Sequence, residues 1–80
     1  MNIHDKIAKN IIDFLDTSKI EFEKGDKIEV YALFLTIKTK ISYKRLKKIL
    51  TIGAERKITL IELIAIADGL NLPIEYLIKK

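Results

Sequence analysis

Thr59-Leu60-Ile61-Glu62-Leu63-Ile64-Ala65-Ile66-Ala67-Asp68-Gly69-Leu70-Asn71-Leu72-Pro73-Ile74-Glu75-Tyr76-Leu77 is the stretch that decides how the chain folds. Thr59 with Glu62 three positions later forms a capping box, in which the hydroxyl and the carboxylate each satisfy a backbone N–H that the helix itself leaves orphaned. Leu60, Leu63, Ile64, Ala67 and Leu70 follow at helical spacing. Asn71 tolerates the left-handed backbone that closes such a helix. Pro73 fits the first turn of a last helix, with Ile74, Leu77 and Ile78 facing in and Lys79-Lys80 where the helix dipole favours cations.

Upstream lies Lys38-Thr39-Lys40-Ile41-Ser42-Tyr43-Lys44-Arg45-Leu46-Lys47-Lys48-Ile49-Leu50. Ser42 reads as the N-cap of a short helix whose apolar stripe is narrow: Leu46, Ile49 and Leu50. Tyr43, Lys44, Arg45, Lys47 and Lys48 point elsewhere, and Gly53 can supply the left-handed residue that ends the helix. Residues 38–48 hold six basic residues and no acid. Lys44 and Arg45 lie in the first turn, beside the positive end of the helix dipole, which is unfavourable by roughly 0.3–1 kcal/mol per charge in isolation. A phosphate at that position reverses the sign of the effect. A short, basic, half-exposed helix of this kind is what entry into a major groove requires.

These two stretches together resemble the lambda-repressor/Cro-like helix-turn-helix family. The capped run from Thr59 and the short helix after Pro73 look like that family's fourth and fifth helices. Ile41-Ser42, Leu46 and Ile49 fall where it places the opening and the buried positions of its recognition helix. The resemblance covers residues 41–77 well and the first helix loosely. It implies that Ser42, Tyr43, Lys44, Arg45, Lys47 and Lys48 face DNA, and it implies dimerisation near the C-terminal helix. The chain departs from the family in three ways. About a dozen residues separate the first two helices, the second helix lacks the usual opening Gln and turn Gly, and the segment after the recognition helix runs about one residue over the family's length.

Toward the N-terminus, Ile3, Ile7, Ile11, Phe14 and Leu15 recur at spacings of three and four, predicting a first helix that ends near Thr17-Ser18. The period then changes. Ile20 and Phe22 alternate with glutamates, Ile28 and Val30 alternate with Lys27, Glu29 and Tyr31, and Gly25-Asp26 sits between the two runs. That pattern predicts a two-stranded hairpin over residues 19–31 with a type II′ turn; the competing reading is a charged loop running straight into the next helix. Residues 30–37 then form a short helix using Leu33, Phe34 and Ile37. The expected architecture is therefore mainly α: one domain, residues 1–80, a compact five-helix lambda-repressor-like helix-turn-helix unit with a small β-hairpin between helices 1 and 2.

Composition narrows the function. The net charge of +4 is unevenly spread: residues 1–31 balance to −2, residues 32–57 to +7 and residues 58–80 to −1. An excess confined to the middle of the chain points to a polyanionic partner. There is no cysteine, hence no disulfide framework or thiolate metal site, which suits a reducing cytoplasm. No apolar run approaches the roughly 18 residues of a membrane span, and the first residues carry no signal-peptide pattern. One histidine, His4, expected at the surface, and no cysteine make no nucleophilic set. The glycines are too scattered to cradle a phosphate, and Tyr43 alone is no stacking platform for single strands. No catalytic residue, cofactor or metal is expected.

The expected function is sequence-specific binding of double-stranded DNA by a cytoplasmic, repressor-like transcriptional regulator, read by the helix that starts at Ser42. Lys44 and Arg45 are expected at base edges, and Lys38, Lys40 and Lys48 at phosphates. The alternative is a protein-interaction module or phage-type inhibitor or antirepressor on the same scaffold, working through residues 19–31; RNA binding and catalysis rank below both. A hydrophobic content of 49% exceeds what so small a core easily hides and leaves surface for a homodimer. The candidate surfaces are Leu72, Ile74, Tyr76 and Ile78, or the hairpin.

Overall fold

Asn2 accepts a hydrogen bond from the Asp5 amide at 2.9 Å and starts the first of the five helices among the described residues. In the computed structural model, which describes residues 2–53 and 57–79, these are α1 (Ile3–Thr17), α2 (Lys27–Thr39), α3 (Tyr43–Leu50), α4 (Leu60–Gly69) and α5 (Ile74–Lys79). The expected place of Lys80 lies outside the described residues. Ile7, Ile11 and Leu15 of α1 are buried as their spacing predicts, and Ser18 closes the helix. Asn10 is buried with them, because its amide donates to the Leu77 carbonyl at 2.8 Å and so fastens α5 to α1. His4 is half-buried rather than at the surface, and its Nδ1 has no hydrogen-bond partner among the described residues.

The hairpin expected over residues 19–31 does not form; the described residues contain no strand. Residues 19–25 run without regular structure, and Asp26 caps α2 by accepting from the Glu29 amide at 3.1 Å. Lys27 through Tyr31, read as the second strand, are instead the opening of a thirteen-residue helix. Tertiary contacts hold that opening in place. Asp16 on α1 accepts from the Tyr31 hydroxyl at 2.5 Å and pairs with Lys27 at 3.1 Å. Phe22 packs on Tyr31 and edge-on against Phe34, with ring centroids 4.9 and 5.3 Å apart.

The buried face of α2 also differs from expectation. Tyr31, Ala32 and Leu35 enter the core, Phe34 is half-buried, and Leu33 and Ile37 stay 53% and 81% exposed. The helix expected over residues 30–37 runs on through Lys38 and Thr39, and Lys40 closes it in the left-handed region at φ 64°. Only residues 40–42 separate α2 from α3, and the two helices pack on each other.

Helix α3 buries Leu46, Ile49 and Leu50, the stripe its sequence predicts. Thr51 ends it at φ −85°, so Gly53, though left-handed at φ 86°, lies two residues past the cap. The Gly53 amide donates to Asp5 at 2.8 Å, tying this connection to α1. Helix α4 carries the full capping box. It closes as a Schellman motif: Asn71 is left-handed at φ 57°, and the amides of Asn71 and Leu72 donate to the carbonyls of Asp68 and Ala67. Leu63, Ile66 and Ala67 face in, while Leu60 and Ile64, expected in the core, are exposed. A side chain at Gly69 would sit 3.1 Å from the Lys38 carbonyl, so glycine is what lets the end of α4 rest on the end of α2.

The fully buried residues Ile11, Leu15, Leu35, Leu46, Leu50, Ile66 and Leu77 come from all five helices and form one core. The radius of gyration, 11.4 Å, is that of a compact chain of this length. No described helix is long and apolar enough to cross a membrane.

Candidate nucleic-acid interface

Burying Leu46, Ile49 and Leu50 turns the opposite side of α3 outward. Ser42 fixes where that side begins, its hydroxyl accepting from the Arg45 amide at 3.3 Å. Lys44, Lys47, Lys48 and Thr51, at positions i, i+3, i+4 and i+7, line one open concave face of about 400 Å³. The Lys47 ammonium lies 5.6 Å from the Tyr43 ring centroid, and Tyr43 itself, half-buried against the core, sits at the edge of this face. Thr51, which the sequence reading passed over, was available from the same helical spacing; its hydroxyl donates to the Lys47 carbonyl at 2.6 Å.

One acid forms an ion pair with this face among the described residues. Glu29 of α2 sits 3.4 Å from Lys47. The neighbouring Tyr43 and the bond to Glu29 both raise the Lys47 pKa above the ordinary lysine value, so it carries its charge throughout the neutral range. Glu29 also shows which side of α2 adjoins α3. Lys38 is nine residues further on, about half a turn round the helix. It faces away from α3 and lies over the Phe34 ring at 5.6 Å. Lys40, eleven residues from Glu29, falls back on the α3 side, exposed in the turn.

Arg45 stands apart from the other basic residues. Its Nε and Nη2 donate to the two carboxylate oxygens of Glu62 at 2.5 and 2.7 Å, and Nη2 also donates to the Lys57 carbonyl at 2.8 Å. The two side chains are only 19% and 16% exposed. Hydrogen bonding to Arg45 is the largest cause holding the Glu62 carboxyl down at about 2, helped by the Thr59 cap and opposed by burial; Glu62 in turn raises Arg45. The fork geometry fills the guanidinium on the protein side. Arg45 therefore locks the first turn of α3 to the first turn of α4.

Of the residues singled out in the sequence, the structure thus gathers Lys44, Lys47 and Lys48 on one face, with Ser42, Tyr43 and Lys40 at its edge. It turns Arg45 toward α4 and leaves Lys38 on the far side of α2. No carboxylate among the described residues lies within ion-pair distance of Lys44 or Lys48. Comparison with protein-family models, with curated proteins and with solved structures finds no match.

Proposed function

We propose that the protein is a sequence-specific binder of double-stranded DNA, a repressor-like regulator in which α2 and α3 act as the helix-turn-helix pair of a lambda-repressor-like domain and α3 enters the major groove. The observation that carries this reading is the face of α3. Three lysines project from one side of a short capped helix, and the opposite side is held in the core by Leu46, Ile49 and Leu50. A rigid basic helix can deliver its charges to phosphates without ordering a loop first, and its width suits the major groove. Roles then divide by position. Lys44, in the first turn, reaches base edges; Lys40, Lys47 and Lys48 hold phosphates; Arg45 positions α3 through Glu62 instead of reading a base. One such helix reads only a few base pairs, so useful specificity calls for two protomers on two half-sites.

Selection of preferred duplexes from a random pool, repeated with two variants, tests this division. Lys44→Ala is expected to weaken the preferred site by about 1–3 kcal/mol and to relax preference at one position, whereas Lys48→Ala weakens all duplexes alike. Uniform weakening by both removes base reading from Lys44, and the absence of any preferred duplex removes sequence specificity.

A second reading, a protein-interaction module on the same scaffold, draws on the exposure of Leu33 and Ile37 beside Phe22 and Phe34. A protein that ignores duplex DNA at low salt while retaining a partner at this surface belongs to that class.

A further inference from the structure

Three residues, Lys40, Ile41 and Ser42, carry the chain from the end of α2 to the start of α3. A connection this short leaves backbone groups outside both helix ladders, and they need partners from elsewhere. Both groups of Ile41 find theirs on α2. Its amide donates to the Thr39 hydroxyl oxygen at 3.2 Å, and its carbonyl accepts from the Thr36 hydroxyl. Thr39 gives its own proton to the Leu35 carbonyl at 2.6 Å, so the oxygen that receives Ile41 is already fixed to the helix. The Lys40 amide donates to the Thr36 carbonyl at 3.2 Å, which makes Thr36 a partner of the turn through backbone and side chain alike.

A helical threonine commonly returns its proton to the carbonyl four residues back, as Thr39 does. Thr36 instead sends its proton five residues forward, across the turn. Both threonines are half-buried, which shields these bonds from water. The Thr39 methyl group also rests against the end of α4, 3.2 Å from where a Cβ on Gly69 would stand. Beyond Ile41, Ser42 caps α3 and Arg45 bonds Glu62. The constraints therefore run without a gap from the last turn of α2 into the first turn of α3.

We propose that Thr36 and Thr39 are positioning residues that clamp Ile41 and so fix the angle at which α3 leaves α2, and with it the place of Lys44 against the bases. The use of that angle rests on the DNA-binding reading above; the clamp itself rests on the hydrogen bonds. Neither threonine is asked to touch DNA. Reading a base edge requires the reading group to be held to about half an ångström, because hydrogen bonds weaken steeply with misalignment. A lysine paired with a phosphate tolerates more, since attraction between charges falls slowly with distance. A loosened turn therefore costs discrimination between duplexes before it costs affinity for duplex as such.

Two readouts test it: amide hydrogen exchange of the free protein, and the ratio of affinities for preferred and random duplexes. Thr36→Val and Thr39→Val keep the branched side chain and remove the hydroxyl; Thr36→Ser keeps the hydroxyl. Thr39→Val should speed exchange at the Ile41 amide at least about tenfold while the core amides of α1 and α4 keep their wild-type rates. Thr36→Val should lower the affinity ratio about five- to tenfold with random-duplex affinity and salt slope unchanged, and Thr36→Ser should restore the ratio. A merely destabilising role would instead speed exchange throughout the chain and weaken both duplexes together. An Ile41 amide that exchanges as fast as an open loop in wild type overturns the clamp, as does one that Thr39→Val leaves unchanged. An affinity ratio that Thr36→Val leaves intact, or that Thr36→Ser fails to restore, overturns the positioning role. A wild type that ignores duplex DNA defeats the DNA-binding reading and the positioning role with it, whereas Ile41 protection lost in Thr39→Val still upholds the clamp.

Discussion

Glu62 holds three bonds at once: the Thr59 amide at 2.9 Å, and Arg45 through Nε at 2.5 Å and Nη2 at 2.7 Å. Its carboxyl lies at about 2 in the folded chain instead of 4.5. A lowered carboxyl pKa stabilises the folded state in full above the unfolded value and loses that stabilisation as pH falls through the folded one. The contribution is therefore complete above pH 4.5 and disappears toward pH 2. Glu62→Gln is expected to cost about 2–3 kcal/mol at pH 7 and to flatten the stability profile between those limits, as urea melts along a pH series would report. A variant as stable as wild type at neutral pH contradicts the role given to this pair. Half of it was legible in the sequence, because Thr59 and Glu62 meet within one helical turn. Arg45 was not, because its partner is 17 residues away and comes close only when α3 and α4 pack. From α3 alone, a first-turn arginine looks no different from Lys44 beside it. Glu29 was hidden for the same reason, since its approach to Lys47 spans 18 residues. Glu29→Gln releases Lys47 and should strengthen low-salt duplex binding several-fold; unchanged affinity would place Lys47 outside the contact.

α2 is where local pattern and tertiary packing disagree. Five residues from Lys27 alternate in polarity like a strand, yet Ile28, Tyr31, Ala32 and Leu35 already form a helical stripe once the window reaches Leu35. Gly25-Asp26 reads as a hairpin turn when strands are assumed on both sides; in the folded chain Asp26 is the cap of a helix. Asp26→Ala should therefore destabilise by about 1 kcal/mol, measured by thermal melting. No effect would mean that α2 begins elsewhere. At its other end, Lys40 holds a left-handed φ of 64°, a conformation that disfavours side chains bearing a Cβ. Lys40→Gly is expected to stabilise by about 0.5–1 kcal/mol while weakening phosphate contact, so that melting temperature and DNA affinity move in opposite directions. The starts of α3 and α4 and the close of α4 were readable because caps are local chemistry: Ser42, Thr59 with Glu62, and Asn71.

At the scale of the molecule, the core was legible wherever the apolar stripe is narrow. Leu46, Ile49 and Leu50 have no apolar neighbours to compete with them, and the helical spacing alone selects them. α4 is apolar nearly all round, so spacing could not choose its buried side; Leu60, Ile61 and Ile64 ended at the surface while Leu63 and Ile66 turned in. Leu33 and Ile37 were misplaced for the same reason on α2. The surplus of apolar residues seen in the composition thus went partly to the surface, at Leu33 and Ile37 on α2 and at Leu60, Ile61 and Ile64 on α4. The positive charge was legible as a cluster, but its division into a face on α3, a lock at Arg45 and an outlier at Lys38 required the packing of α2, α3 and α4. That division sets the most direct measurement, the salt dependence of binding to duplex DNA of random sequence. With Lys40, Lys47 and Lys48 as the phosphate-holding set, log affinity should fall with log salt at a slope of about −3 per protomer, and Lys48→Ala should bring the slope about one unit closer to zero. A flat titration, or a folded protein that fails to bind duplex at low salt, would contradict the account.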